Sequence, residues 1–198
     1  MWYLNDIILM WEQSMQTQQL PKILNVETIA KTRIFEVQAV DLRFSNGEER
    51  TFERLTPQRR SSVMVIPIQN QELIFVKEYA VASERYELGF PKGIVDQGEE
   101  PIISANRELQ EEIGFGAKRI EFLRSLYTGP SHMFGLMHVF IAQDLYLSKL
   151  EGDEPEPLEV VRVPLAKIDE LLADPNFAES RNLAALFMLR EYLTSGQK

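Results

Sequence analysis

The chain has no cysteine among its 198 residues, which excludes disulfides, thiolate zinc sites and thiol nucleophiles. That composition is compatible with a reducing cytosol, and a cytoplasmic location is expected. Basic residues are outnumbered, 21 Lys and Arg against 30 Asp and Glu, for a net charge of −9. A nucleic-acid-binding surface carries clustered Lys and Arg. Here the basic pairs, such as Arg59-Arg60, are short, so no nucleic-acid partner is expected. Long apolar runs are missing as well. The stretch Ile7-Ile8-Leu9-Met10-Trp11 is too short to cross a bilayer, no Lys or Arg precedes it, and no A-x-A-like cleavage site follows. Neither a membrane span nor a secretory signal is expected. Met1 to Met15 read as a frayed helix or as sequence upstream of a true start at Met15, and residues 1–19 as an extension outside the core. Histidine is scarce, with only His132 and His138. An acidic protein that handles an anionic substrate needs cations at its site, which points toward metal.

What is present is enough apolar material, 44% of residues, for one sizeable core or a catalytic domain with a small extra module. Val37 to Phe44 and Glu49 to Leu55 are β-rich runs joined by Ser45-Asn46-Gly47-Glu48, where Asn-Gly favours a hairpin because both residues tolerate positive φ. Thr56 to Arg60 reads as a linker. Ser62 to Ile68 and Leu73 to Tyr79 are two further strands across a polar turn, and Tyr86 to Phe90 is a short one ending in Pro91-Lys92-Gly93. Pro101 to Ile113 has helical spacing, with Ile102, Ala105, Leu109 and Ile113 as its apolar stripe and Pro101 suited to the first position. Strands follow near Ile120 to Leu126 and Met137 to Ala142. Pro alternating with acid makes Glu151 to Pro157 irregular. A last strand, Val160 to Val163, precedes two helices, the second about Glu179 to Tyr192 with Leu183, Leu186, Phe187 and Leu189 on its apolar face. The expected class is α/β (α+β) behind a small N-terminal antiparallel β module.

On the helix, Glu108, Glu111 and Glu112 stand at i, i+3 and i+4 and share one face beside the apolar stripe. Like charges so close destabilise an isolated helix by a few tenths of a kcal/mol per pair, so something cationic should offset them. An ordinary Glu-Glu run is a solvated face, here with Arg107 paired to Glu111. The surrounding residues compete with that reading: Gly98, Glu99 and Gly114 fall where a loop–helix–loop needs them. Carboxylates at this spacing suit Mg²⁺ or Mn²⁺, which take oxygen ligands together with water and substrate phosphate.

From Gly93 to Phe115 the chain resembles the Nudix box, G-x₅-E-x₇-R-E-U-x-E-E-x-G-U (U a bulky apolar residue), at every fixed position over 23 residues. The resemblance implies the Nudix fold, an α/β/α sandwich whose box forms a loop–helix–loop. It makes Glu108, Glu111 and Glu112 the metal ligands, Glu111 counting also among the catalytic residues. The backbone carbonyl of Lys92 or Gly93 is a further implied ligand, and Glu99 with Arg107 is implied to brace the loop. Asn46-Gly47, Phe52-Glu53-Arg54, Glu78-Tyr79, Tyr86-Glu87-Leu88 and the late Glu154-Pro155-Glu156-Pro157 resemble the ADP-ribose pyrophosphatase branch. Pro130, 16 residues after Gly114, has a placement associated with ADP-ribose hydrolases. Two departures stand out: Ala80 where many relatives have Arg, and Pro91-Lys92-Gly93 where ADP-ribose hydrolases more often have Pro-Ala-Gly. The latter also occurs in diadenosine polyphosphate hydrolases, so broad specificity fits better.

The implied activity is hydrolysis of the pyrophosphate bond of ADP-containing compounds such as ADP-ribose, NADH and short diadenosine polyphosphates. Mg²⁺ or Mn²⁺ is the cofactor and AMP a product. The resemblance places the general base in the late loop, Glu156 as first choice and Glu154 as second. His138 reads as structural, and His132 on a loop is the weaker alternative base. Glu87 and Pro130 are candidate substrate contacts. Arg50 and Arg54 are placed to reach a phosphate, and Phe35 or Phe44 to stack on adenine; each is equally an ordinary strand residue. In the related branch the N-terminal module crosses to a second subunit, so residues 20–58 are expected to serve dimerisation and substrate binding in a homodimer, with 59–198 as the hydrolase domain. Competing readings are hydrolysis of another nucleoside diphosphate derivative, of nucleoside triphosphates or of capped RNA, and a non-cleaving ADP-ribose or dinucleotide sensor. The N-terminal module and Pro130 argue against triphosphates, the acidic surface against RNA, and the intact box glutamates against a sensor.

Overall fold

The computed structural model describes residues 19–57 and 60–195. The expectation for Met1 to Met15, and that for Gln58 and Arg59 in the linker, lie outside them. Of these described residues, 19–57 together with Ser131–Met133 form one compact unit, and 60–130 with 134–195 form another.

The first unit is a three-stranded antiparallel sheet in the order β1-β2-β3, from β1 (Lys22–Lys31), β2 (Glu36–Arg43) and β3 (Glu49–Leu55). The β2–β3 hairpin forms where expected, but only Gly47 takes a positive φ, of 86°. The Gly47 N–H donates to the Phe44 carbonyl at 3.0 Å and the Phe44 N–H to Glu48 at 2.9 Å. A left-handed glycine after a turn is the G1-bulge form of hairpin, not the two-residue turn that needs both central residues left-handed. β1 is exposed along its whole length, so it has no period-2 alternation by which to be recognised.

The second unit holds a mixed sheet whose main path runs β10-β5-β4-β9-β8. Its strands are β4 (Ser62–Gln69), β5 (Glu72–Ala80), β6 (Arg85–Gly89), β7 (Lys92–Ile94), β8 (Phe115–Thr128), β9 (Gly135–Leu147) and β10 (Glu159–Pro164). β6 adds to β5 and β7 to β4, and β4 runs parallel to β9. Asn70 and Gln71 both take positive φ, 53° and 63°, to close the β4–β5 hairpin. β8 and β9 extend well beyond the apolar runs that marked them.

Alternation along β4 divides the core. Val63 and Val65 pack with Ile74, Val76 and Phe140 against Ala105, Leu109 and Ile113 of the box helix. Met64, Ile66 and Ile68 pack with Phe75, Phe90 and Val139 against Ile168, Leu186 and Leu189 near the C terminus. Helices on both faces of one sheet make the α/β/α sandwich. Burial on both faces also explains why β4 reads as a continuous apolar run.

The box helix is α1 (Pro101–Glu108), continued by a π turn, Leu109–Ile113, and ended by left-handed Gly114. Ile102 falls off the expected stripe and is 43% exposed, while Ala105, Leu109 and Ile113 are buried. After α2 (Ile168–Ala173), α3 (Ser180–Thr194) buries Leu186 and Leu189. Phe187, expected on the same face, is 48% exposed with the Arg190 guanidinium 4.9 Å from its ring centre. Among the described residues no helix is long and apolar enough to cross a membrane.

Candidate active site

The site starts with the approach of β7 to the box helix. Val65 N–H donates to the Pro91 carbonyl and Val95 N–H to the Ser61 carbonyl, while Gly93 faces Val63 in the ladder. Hydrogen-bonded pairs alternate in an antiparallel ladder, so Lys92 turns its N–H and C=O away from β4. Its N–H donates to Glu112 Oε1 at 3.2 Å. Of the two carbonyls proposed as ligands, that of Lys92 therefore faces the carboxylates. Gly93 lies so close to Glu108 that an added Cβ would stand 2.1 Å from its carboxyl carbon.

Glu108 and Glu112 are buried, 7% and 9% exposed, because the stripe beside them presses against the sheet. Burial, reinforced by Glu111 and Glu154, pushes the Glu108 carboxyl up to about 7 although Arg107 opposes it. Burial also pushes Glu112 up to about 8, with Glu108 and Glu154 adding to the shift and Lys92 opposing it. Glu112 Oε2 is buried with no hydrogen-bond partner. Carboxylates held like this call for a cation.

Arg107 supplies part of that charge. Its guanidinium donates to Glu108 Oε1 at 2.7 Å, Glu111 Oε2 at 2.8 Å, Glu99 Oε2 at 3.3 Å and the Ile94 carbonyl at 3.0 Å. Burial works against its charge, but Glu99, Glu108 and Glu111 raise its pKa beyond the usual arginine value. Burial also acts against the Glu99 charge, yet Ser104 and Arg107 bring that carboxyl below its ordinary value. Glu99 is thus anchored in the loop before the helix. Among the described residues no three acidic or histidine side chains converge as a finished metal-ligand set, because the guanidinium draws Glu108 and Glu111 toward itself. The orphaned oxygen of Glu112, the two raised carboxyls and the outward Lys92 carbonyl nevertheless form an oxygen donor set that fits a divalent ion.

A cleft of about 570 Å³ opens over these groups, within the range of small-molecule sites. Glu108, Glu111 and Glu112 line one side, and Gly152, Asp153 and Glu154 of the late loop another. Glu154 therefore stands on the carboxylate cleft. Glu156 lines an adjoining groove of about 400 Å³ together with Glu111, Glu112 and Glu154 and accepts a hydrogen bond from the Tyr86 hydroxyl. Glu154, the second choice as base, thus shares its cleft with all three box glutamates, and Glu156, the first choice, with Glu111 and Glu112. Glu78, ion-paired to Lys92, and Asp96 also line the cleft. Glu78 was legible in principle, since it continues the Ile74–Val76 face of β5 by period two.

Glu87 lies in a smaller hollow of about 220 Å³ with Tyr79 and Ala80. Arg85, then Ser83, hold its carboxyl below the ordinary value. Pro130 sits in the exposed β8–β9 turn. His138 Nδ1 is 2.8 Å from Ser125 Oγ within the sheet. In the first unit, His132 Nδ1 is 3.4 Å from the Glu53 carbonyl. Arg50 pairs with Glu48 at 2.8 Å and Arg54 donates to Gln38 at 3.2 Å. Phe44 meets Phe52 edge-on at 6.3 Å, and Phe35 is half exposed.

Comparison with known proteins agrees with this architecture. Residues 58–187 match the NUDIX domain and residues 21–54 the NudE-type Nudix hydrolase N-terminal domain. The chain is 54% identical over 175 residues to the ADP compounds hydrolase NudE of Escherichia coli (strain K12), covering 88% of this chain and 94% of that one. It is 31% identical over 175 residues to the ADP-ribose pyrophosphatase of Bacillus subtilis (strain 168), covering 85% and 95%. A crystal structure of an ADP compounds hydrolase superposes with a TM-score of 0.88 at 52% identity, covering 91% of this chain and 98% of that one. With both domains matched in order, and more than half of the aligned residues shared with a relative covered almost end to end, the chain belongs to the Nudix hydrolase family, whose members work with divalent metal ions.

Proposed function

We propose that this protein hydrolyses the pyrophosphate bond of ADP-containing small molecules, ADP-ribose, NADH and short diadenosine polyphosphates among them, releasing AMP. The observation that carries the reading is the facing of Glu154 toward Glu108, Glu111 and Glu112 across one cleft. The identities to an ADP compounds hydrolase and an ADP-ribose pyrophosphatase support the substrate class. Glu108, Glu111, Glu112 and the Lys92 carbonyl would hold the ion, Mg²⁺ in this proposal and Mn²⁺ as the alternative. When bound, the ion neutralises the pyrophosphate and lowers the pKa of a coordinated water.

The residues of the chain do the rest. Water oxygen joins one phosphorus as the bridging P–O bond breaks, so AMP leaves and the second phosphate stays on the other moiety. Glu154 takes the proton of the attacking water, a general-base role. Arg107 and Glu99 keep the helix and its preceding loop in register. A cytoplasmic homodimer belongs to the same reading. Ile23, Val26 and Ile29 of β1 are about half exposed in the single chain, which supports a covering partner. Sedimentation at micromolar concentration that finds only a fully active monomer would remove the shared site.

The direct test incubates purified protein and Mg²⁺ with ADP-ribose, NADH, diadenosine di- and triphosphates and dATP, and separates the products. AMP from the ADP compounds with dATP intact is expected. Cleavage of dATP alone would replace the proposed substrate class, and binding without cleavage would make the protein a sensor.

A further inference from the structure

We propose that Tyr86 is a positioning residue: through its hydrogen bond to Glu156 it holds the late loop so that Glu154 stands over the carboxylate cleft. The inference rests on Glu154 as the base. The loop leaves the box helix after Leu150, whose N–H donates to the Gln110 carbonyl at 3.1 Å, and regains regular structure at Glu159 in β10. Among the described residues, the one hydrogen bond that reaches into residues 151–158 is Tyr86 Oη to Glu156 Oε1, at 2.5 Å.

That tie opposes a repulsion between like charges. Glu151, Asp153, Glu154 and Glu156 lie in eight residues, none ion-paired among the described residues, and all four share a cleft or groove with Glu111 and Glu112. Like charges at such a site push the loop outward. The anchor is held by its strand. Tyr86 stands opposite Tyr79 in the β5–β6 ladder, with the rings edge-on, 5.5 Å between centres at 67°. Pro155 and Pro157 flank Glu156 and fix their own φ, so the placement of Glu156 carries over to Glu154 two residues away. Gly152 lets the loop approach, since an added Cβ would meet Glu154 Oε2 at 2.4 Å and Glu111 Cβ at 3.7 Å.

The test is steady-state hydrolysis of ADP-ribose with saturating Mg²⁺ by full-length Tyr86→Phe, Glu156→Ala, Glu156→Gln, Glu154→Gln and the double variant Tyr86→Phe/Glu156→Ala. Tyr86→Phe and Glu156→Ala are each expected to lower kcat about tenfold, equivalent to about 1.4 kcal/mol, with KM and melting temperature little changed. Because the two act through one bond, the double variant should lose no more than either single one. Glu156→Gln still offers the hydroxyl an oxygen and should recover most of what Glu156→Ala loses. Wild-type kcat in Tyr86→Phe beside an inactive Glu154→Gln would overturn the inference and leave the base assignment standing. A fully active Glu154→Gln would remove the base assignment itself. If Glu156→Gln is as inactive as Glu154→Gln, Glu156 acts chemically and the tether is wrong. Should Tyr86→Phe fold poorly, Glu156→Ala alone carries the same kcat prediction.

Discussion

A Cβ on Gly93 would stand 2.1 Å from the carboxyl carbon of Glu108, so strand β7 and a buried carboxylate share this space only because residue 93 has no side chain. Gly93 is not among the glycines with positive φ, so a substitution there acts by collision, not backbone strain. Gly93→Ala is expected to turn Glu108 aside and raise the Mg²⁺ concentration for half-maximal activity by about 10- to 100-fold, the usual effect of disturbing a ligand's support. Far-ultraviolet circular dichroism should be unchanged. A Mg²⁺ titration that superimposes on the wild type would show that Glu108 does not need this position.

Arg107 is the cation that the box carries within itself. Removing it leaves Glu99, Glu108 and Glu111 close together without their cation, and breaking a partly buried ion-pair network costs about 2–3 kcal/mol once its exposure is allowed for. Arg107→Ala is therefore expected to melt about 5–10 °C lower in EDTA, with a smaller difference when Mg²⁺ is present. Arg107→Lys keeps the charge but not the planar fork, and should recover less than half of the loss. Equal melting temperatures for wild type and Arg107→Ala in EDTA would deny the guanidinium this role.

The box was legible because its spacing is chemistry: three carboxylates on one helical face, with glycines where backbone must approach or turn. The β4 and β5 strands were legible from their apolar runs and the turn between them. Other features leave no such mark. β1 is exposed on both faces, so nothing in its composition alternates. β7 is three residues long and begins after a proline, and only the ladder with β4 defines it. The π turn widens a helix whose apolar stripe still reads as ordinary α spacing. Asn182 is beyond sequence reasoning for a different cause. Its N–H donates to the capping carboxylate of Glu179 at the start of α3, and its Oδ1 accepts from Phe90 N–H at 2.9 Å, joining segments 92 residues apart. Likewise, the choice between Glu154 and Glu156 depends on where a loop without regular structure turns each carboxylate, which spacing alone does not encode.

The raised carboxyls carry a pH dependence with a definite sign. Glu108 near 7 and Glu112 near 8 both start from 4.5 in the unfolded chain, with burial as the largest cause in each. Between those values the folded protein binds more protons than the unfolded one, so stability falls as pH rises. The contribution is fully present below about pH 4.5 and lost as pH passes through 7 and then 8. In EDTA the melting temperature is therefore expected to be higher at pH 5.5 than at pH 8.5, by at least about 5 °C. Metal binding requires the ionised carboxylates and so releases protons. Titration calorimetry of Mg²⁺ at pH 6.5, in two buffers of different ionisation enthalpy, should read about one to two protons released per chain, falling toward none at pH 9. Saturating Mg²⁺ should also flatten the melting profile, because both carboxylates are then charged and paired. A melting temperature in EDTA that stays level or climbs from pH 5.5 to 8.5, with no proton release at pH 6.5, would mean that Glu108 and Glu112 are already ionised in the metal-free fold.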